Sequence, residues 1–224
     1  MDSLGDGDRR LVGGVWRHRA TSEMTAAVAF ADLTRDLFAT PAEPTVRFLA
    51  ARAITEEMLH AEACRKLAGR YLRADVPVPA PRVFEAARFG DCPESVNRTL
   101  RVVLHCCVNE SIGSAMLSAC LAGTEYPAVR AVLKFLLKDE IDHARIGYGY
   151  LSSRLVDEEH RAHVRRATPT LLKLARDTWY APDAGLPESA PPGHGCLGKD
   201  DLRNVVEDAI SNLVLPGLEA VGAR

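Results

Sequence analysis

The 224-residue sequence has little net charge and no long apolar run, and each absence excludes a class of protein. The formal net charge is −2 and no basic cluster occurs, so the composition does not favour nucleic acid as a partner. No stretch of about 18 uninterrupted apolar residues is present, and the first residues lack the basic and apolar regions of a signal peptide. We therefore expect a cytoplasmic protein that spans no membrane.

The six cysteines form no Cys-x-x-Cys pair, which leaves a zinc ribbon or an iron–sulfur cluster without support. Cys106 and Cys107 are adjacent, a geometry poorly suited to a disulfide bridge between them. Most of the cysteines lie in segments with a helical pattern. We expect reduced thiols.

The composition is that of a helical protein, because Ala, Leu and Arg dominate and β-branched residues do not alternate. Residues 1–14 are expected to be flexible and 15–224 to form a single domain. Proline and glycine positions divide this domain into six predicted helices, the first beginning at 21 or as early as 15: 21–38, 45–72, 94–121, 128–155, 160–179 and 200–215. The first four predict two antiparallel hairpins, a core bundle over about 15–155, and the last two lie within about 158–218.

Two segments repeat one chemical pattern, an acidic residue followed by Glu-x-x-His. The first runs from Glu56 to His60 and the second from Asp139 to His143, each on the second helix of its hairpin. In a helix, residues three apart lie about 60° apart around the axis, so the glutamate and histidine project toward a common point. Two facing copies, completed by a lone glutamate from each of the other two helices, form a dimetal site.

The lone glutamates can be located from the height of each motif in its hairpin. A helix rises about 1.5 Å per residue, so residues at equal distances from the turn lie side by side. Reflection of the first motif through a turn near 41 reaches positions 26 and 23, where Glu23 is the only acidic residue. Reflection of the second motif through a turn near 125 reaches 110 and 107. Glu110 stands there in an apolar stretch, where an unpaired carboxylate would be costly.

The sequence therefore predicts a metal site of four carboxylates and two imidazoles: Glu23, Glu57, His60, Glu110, Glu140 and His143. Two divalent cations would balance the four negative charges, and these donors favour iron or manganese over zinc. A metal-bound imidazole needs a partner for its other nitrogen, and we expect Glu56 and Asp139 each to reach the histidine of the opposite motif. Four other histidines fall in no ligand register and are expected to face solvent or local partners: His105, His160, His163 and His194.

The ligand set resembles that of the ferritin-like di-iron carboxylate superfamily over roughly residues 15–155. The intervals of 34 residues (57 minus 23) and 30 residues (140 minus 110) suit that superfamily. The resemblance implies an all-α fold, a ferritin-like four-helix bundle with two additional C-terminal helices. It also implies two iron ions, or a manganese–iron pair, and dioxygen as co-substrate.

Three differences from known kinds of superfamily member limit which of them the sequence resembles. Leu136 stands where p-aminobenzoate N-oxygenases have an additional histidine, the cysteine tail of rubrerythrins is absent, and two C-terminal helices are unlike a ferritin cage subunit. The resemblance then implies an oxidoreductase that hydroxylates, N-oxygenates or desaturates a small organic substrate, with an external electron donor and no catalytic residue beyond the ligands. Two alternatives stay open: a ferroxidase or iron-storage protein, and a metal-stabilised structural bundle.

We expect the substrate to bind beside small residues near the ligands, because space there would admit an organic molecule. The residues predicted to line this cavity are Cys106, Cys107, Gly113, Ser114 and Gly147. The two C-terminal helices either close this cavity or form the face of a homodimer.

Overall fold

The computed structural model describes residues 4–83, 85–181 and 185–223, and this part of the chain forms six helical rods and no β-strand. The first hairpin consists of α1 (Asp6–Phe38) and α2 (Pro44–Leu72). The second hairpin pairs a composite rod with α5 (Pro127–Ser152), and the composite rod contains α3 (Glu94–Val102), a π-helical segment π1 (Val103–Glu110) and α4 (Ser111–Ala122). The C-terminal rods are α6 (Glu158–Trp179) and the series α7 (Lys199–Ala209), π2 (Ile210–Val214) and α8 (Leu215–Ala220). The predicted all-α fold with two additional C-terminal helices is confirmed.

The first helix begins at Asp6, which corrects the expectation of a flexible segment over residues 1–14; residues 1–3 lie outside the described residues. Val12 and Trp16, one turn apart, are fully buried, so this part of α1 belongs to the core. A Cβ added at Gly13 would lie 2.7 Å from Leu72 Cγ. Gly13 therefore permits a close approach of α1 to α2.

The predicted ligands on α1, α2 and α5 lie between two clusters of buried apolar residues at opposite ends of the bundle. On α1, Ala20 belongs to one cluster and Phe30 to the other, with Glu23 between them. On α5, Leu136 and Ile146 likewise flank the second motif. The folding of these helices therefore places the predicted ligands at mid-height, away from the ends of the bundle.

The composite rod, Glu94–Ala122, is long and apolar enough to span a membrane by length and composition, with a mean hydropathy of 1.2 over its most apolar window. Half of that window is buried inside the fold. One such helix is a weak indication of a membrane span, because core helices of soluble proteins have the same composition.

The segment after α6 and the end of α6 itself pack back onto the bundle. Trp16 Nε1 donates a hydrogen bond to the His194 carbonyl oxygen at 3.1 Å, and the His194 ring pairs with the Tyr71 hydroxyl at 2.8 Å. At the end of α6, Trp179 Nε1 donates to Asn109 Oδ1 at 3.2 Å. The C-terminal part thus covers one end of the bundle and anchors π1.

Candidate metal centre

The six predicted ligands meet inside the bundle, and all six are buried. Helices α2 and α5 each supply a glutamate and a histidine, α1 supplies Glu23, and the last residue of π1 supplies Glu110. Glu57 and His60 are fully inaccessible to solvent, and Glu23 is the most exposed of the set at 9%. Since an isolated buried carboxylate is costly, four of them in one place require compensating positive charge.

The ligand atoms form two overlapping groups, and within each group all atoms lie within 4.8 Å of one another. The first group contains Glu23, Glu57, His60 and Glu140. The second group contains Glu57, Glu110, Glu140 and His143. Glu57 and Glu140 belong to both groups, so each can offer one oxygen to either side. Two cation positions joined by two carboxylates are the geometry of a dinuclear centre.

Both histidines direct Nδ1 toward the shared glutamates. His60 Nδ1 lies 3.5 Å from Glu57 Oε2 and 3.5 Å from Glu140 Oε1. His143 Nδ1 lies 3.0 Å from Glu57 Oε1 and 3.8 Å from Glu140 Oε2. The two oxygens of each glutamate therefore face different histidines, as a bridging carboxylate requires.

The outer nitrogen of each histidine faces an acidic residue of the opposite motif. His60 Nε2 lies 3.3 Å from Asp139 Oδ2, and His143 Nε2 lies 3.1 Å from Glu56 Oε2. The two contacts have the crossed arrangement that the sequence predicts. With a proton on Nε2 shared with the carboxylate, each ring presents the Nδ1 lone pair to the centre.

Several buried polar atoms at the centre lack hydrogen-bond partners in the described part of the chain. They are both carboxylate oxygens of Glu57, Nδ1 of His60 and Nδ1 of His143. Leaving such groups unsatisfied costs about 1–3 kcal/mol each, and more for a charged group. A cation bound by these atoms would satisfy them. The donor set therefore fits a pair of divalent metal ions, and the buried cluster could hold them.

Neighbouring carboxylates control the protonation of the two histidines. Burial alone would lower the pKa of His60, but Glu140 and Glu57 outweigh it and raise the pKa to about 11. The same opposition raises the pKa of His143 to about 12. At neutral pH without a cation, both rings carry two protons.

The pKa values of the buried carboxylates shift in two directions. Burial, followed by the charges of nearby carboxylates, raises the pKa of both lone residues, Glu23 and Glu110. Burial would also raise the pKa of Glu140, but His143 and His60 outweigh it and hold that pKa below its ordinary value. A metal ion would displace protons from the two histidines on binding, and its charge would oppose the rise in the pKa of the lone glutamates.

Part of the predicted substrate cavity is a close helix contact instead. A Cβ added at Gly147 would lie 2.5 Å from Cys107 Sγ and 2.9 Å from Cys106 Cβ, and both cysteines are fully buried. Small residues here bring α5 against π1 and leave no space. Gly113 does lie beside the centre, since its added Cβ would be 3.8 Å from Glu140 Oε2, and the Ser114 hydroxyl is buried without a hydrogen-bond partner.

A cavity of about 220 Å³ lies between α1, residues 82 and 85–87, and π1. Apolar residues, including Ala29 and Leu104, share its lining with His105 and Asn109. A larger groove of about 700 Å³ runs along the first half of α1, but none of the six predicted ligands lines it. None of the six lines the smaller cavity either, but His105, which does line it, lies 3.4 Å from Glu110.

The sequence predicts that His105 falls in no ligand register and faces solvent or a local partner, and it does not predict the π-helical backbone around this residue. His105 Nε2 lies 3.4 Å from Glu110 Oε1, and the ring packs edge-on against Phe30 with centroids 4.5 Å apart. Burial lowers the pKa of His105 to about 4, so the ring is neutral at neutral pH. Residues five apart in an α-helix are separated by about 140°, whereas the i to i+5 hydrogen bonding of a π-helix brings them to one face. Only the backbone conformation reveals this neighbour of Glu110.

Comparison with known proteins supports the fold. A solved structure, described as a Synechococcus protein with aldehyde deformylating oxidase activity, superposes on the chain with a TM-score of 0.60. The identity is 18%, and the match covers 98% of this chain and 94% of that chain. No protein-family model and no curated protein sequence matches. Together with the buried cluster of carboxylates and imidazoles, this likeness shows that the chain has the ferritin-like helical-bundle fold.

Proposed function

We propose that this protein is a di-iron oxidoreductase that uses dioxygen to oxidise a small organic molecule. The observation that carries the proposal is the sharing of Glu57 and Glu140 between two groups of buried donors. Both oxygens of Glu57 are buried without an aligned hydrogen bond in the described structure, and they face His143 Nδ1 at 3.0 Å and His60 Nδ1 at 3.5 Å, atoms that a metal ion would share with them.

Each residue of the centre has a separate task in this proposal. Glu57 and Glu140 would be shared between the two irons, while Glu23 and Glu110 would each hold one of them. Asp139 and Glu56 fix the ring orientation of the two motif histidines. When bound, the iron pair supplies the reduction of dioxygen. The protein positions the substrate and excludes water.

Aldehydes are the first substrate class to test, because the structural neighbour is described as having aldehyde deformylating oxidase activity. The 220 Å³ cavity is small and mixes apolar walls with the polar groups of His105 and Asn109, which suits a compact molecule with one polar end. Hydroxylation, N-oxygenation and desaturation are the alternative reactions. Each requires electrons, so we also propose an external electron donor.

The test begins with anaerobic titration of ferrous iron, for which we expect two ions per chain. Exposure to oxygen with a reductant and a panel of small aldehydes, amines and phenols should then give an oxidised organic product by mass spectrometry. Glu57→Gln should lose both the iron and the product. Glu62→Gln is the matched control, because Glu62 lies on the same helix and pairs outward with Arg65.

Rapid formation of a ferric mineral with no oxidised organic product would support iron storage instead. Full retention of iron by Glu57→Gln would contradict the dinuclear assignment itself.

A further inference from the structure

His105 belongs to neither of the two donor groups and faces only Glu110, but it shares one feature with the two motif histidines, an unpartnered buried ring nitrogen beside a carboxylate. In the described part of the chain, three histidine ring nitrogens are buried without a hydrogen-bond partner: His60 Nδ1, His105 Nε2 and His143 Nδ1. Each lies a few ångströms from a carboxylate oxygen of the centre, at 3.5 Å for His60, 3.4 Å for His105 and 3.0 Å for His143.

The distance from His105 to Glu110 suits two donors to one cation better than it suits a hydrogen bond. N–H···O hydrogen bonds measure about 2.7–3.2 Å, and their donor hydrogen points at the acceptor. The 3.4 Å contact is longer, and Nε2 makes no aligned hydrogen bond. Two donors each about 2.1 Å from one ion lie roughly 3.0–3.5 Å apart, for angles between octahedral and tetrahedral.

The local backbone also places His105 on the same face of the composite rod as Glu110. His105 and Glu110 both belong to π1, whose i to i+5 hydrogen bonding places residues five apart on one face. The ring is held by its edge contact with Phe30, and Phe30 also contacts the His143 ring at 5.0 Å between centroids. One aromatic side chain therefore supports both imidazoles near Glu110.

We propose that His105 is a third imidazole ligand, which binds through Nε2 the metal ion on the Glu110 side of the centre. This inference rests on the proposed function, since it assumes the metal pair. It makes the two positions chemically different, with one imidazole on the Glu23 side and two on the Glu110 side. Because His105 also lines the 220 Å³ cavity, the ion with two imidazoles is the one next to the substrate.

Cadmium-113 NMR of protein labelled with nitrogen-15 in its histidines tests this assignment. Coupling between cadmium and nitrogen requires a bond, so a histidine that is merely close gives no splitting. With both positions filled, we expect one doublet from His60 and one triplet from His143 and His105 together. His105→Phe, which keeps a ring against Phe30, should convert the triplet into a doublet and leave the other signal unchanged.

Affinity measurements provide a second readout. His105→Phe should weaken ferrous iron binding at one position by at least tenfold and leave the other within twofold. His160→Phe is the matched control, because His160 pairs with Asp157 at the start of α6, and it should change neither position.

Two doublets in the unsubstituted protein would overturn the inference while leaving the dinuclear centre intact. This outcome does not depend on whether the His105→Phe variant folds. Failure of the unsubstituted protein to bind two ions would instead contradict the proposed function, and the inference with it.

Discussion

The two halves of the centre have mirrored donors but different surroundings. On the Glu23 side, α1 is a regular helix, and one turn earlier Arg19 is buried with its guanidinium 4.4 Å from the centroid of the Trp16 ring. Arg19 also donates to the Gly195 carbonyl oxygen and to Cys120 Sγ. On the Glu110 side, the helix is π-helical and borders a cavity.

Because of this difference, both halves would bind a metal ion, but only the Glu110 side would support chemistry on a substrate. The repeated motif builds two similar positions, and a symmetric site of this kind only needs regular helices. The Glu23 side has a regular helix and the buried guanidinium of Arg19, and neither Glu23 nor Arg19 lines a cavity in the described structure. The π-helical segment, frequent at functional sites, opens the other side toward a cavity. We therefore expect substitutions of bridging residues to affect both halves, and substitutions near π1 to affect only one.

The largest expected effect is the loss of both metal ions in Glu140→Gln. Glu140 belongs to both donor groups, and an amide in its place offers one neutral oxygen to a site that needs negative charge. Metal content by elemental analysis should fall from two ions to fewer than one per chain. Retention of one tightly bound ion would show that the two positions are independent. It would contradict the sharing of Glu140 between them.

The next effect distinguishes the halves, because Glu23→Gln and Glu110→Gln should each weaken one position only. Glu110 contacts His105, which lines the cavity, so its substitution should also weaken the binding of benzaldehyde to the metal-loaded protein. We expect a loss of at least tenfold, which corresponds to about 1.4 kcal/mol. Calorimetry on both variants measures it. Equal losses in the two variants would mean that the cavity does not serve the Glu110 side preferentially.

The six predicted ligands could be located from the sequence because regular helices have fixed geometry. The residue three positions after a glutamate shares its face, and reflection through a hairpin turn finds the residue at equal height. Reflection located Glu110 even though π1 precedes it, because only the regular helix α4 lies between Glu110 and the turn. The crossed contacts of Glu56 and Asp139 follow from the same regularity.

The features that sequence reasoning missed all depend on tertiary packing. His105 lies inside π1, where the helical register changes, so its position cannot be obtained by counting at 100° per residue. The missing side chain of Gly147 led to the prediction of open space near the ligands, but a missing side chain can equally bring two helices together. The early start of α1 depends on the burial of Val12 and Trp16 against other helices, which no local pattern near residues 6–14 indicates.

A smaller effect concerns the residues that orient the two motif histidines. Asp139→Asn should weaken metal binding on the Glu23 side and Glu56→Gln on the Glu110 side, each by roughly 10–100-fold. Asp139→Asn should cost more, because the Asp139 side chain is less exposed than that of Glu56, at 10% against 17%. Iron titrations of both variants decide the order. Identical changes at both positions would contradict the crossed arrangement.

The smallest effect tests whether packing maintains the π-helical side. Gly147→Ala would place a methyl group 2.5 Å from Cys107 Sγ and 3.0 Å from the Cys107 backbone nitrogen. Such overpacking costs about 1–3 kcal/mol. For a protein of this size, each kcal/mol lowers Tm by about 2–4 °C. Thermal unfolding of the metal-free protein measures this loss.

Gly149→Ala is the matched control, because it lies two residues along the same helix and its methyl group would meet only Val46, at 3.9 Å. Replacing a helical glycine there should stabilise the protein by up to about 1 kcal/mol. Since backbone atoms of π1 block the methyl group at Gly147, π1 must move away from α5, and Glu110 and His105 move with it. The cadmium signal of the Glu110 side should therefore shift in Gly147→Ala while that of the Glu23 side stays in place. Equal shifts of both signals would mean that the two halves respond as one unit, so that the packing of π1 does not set them apart.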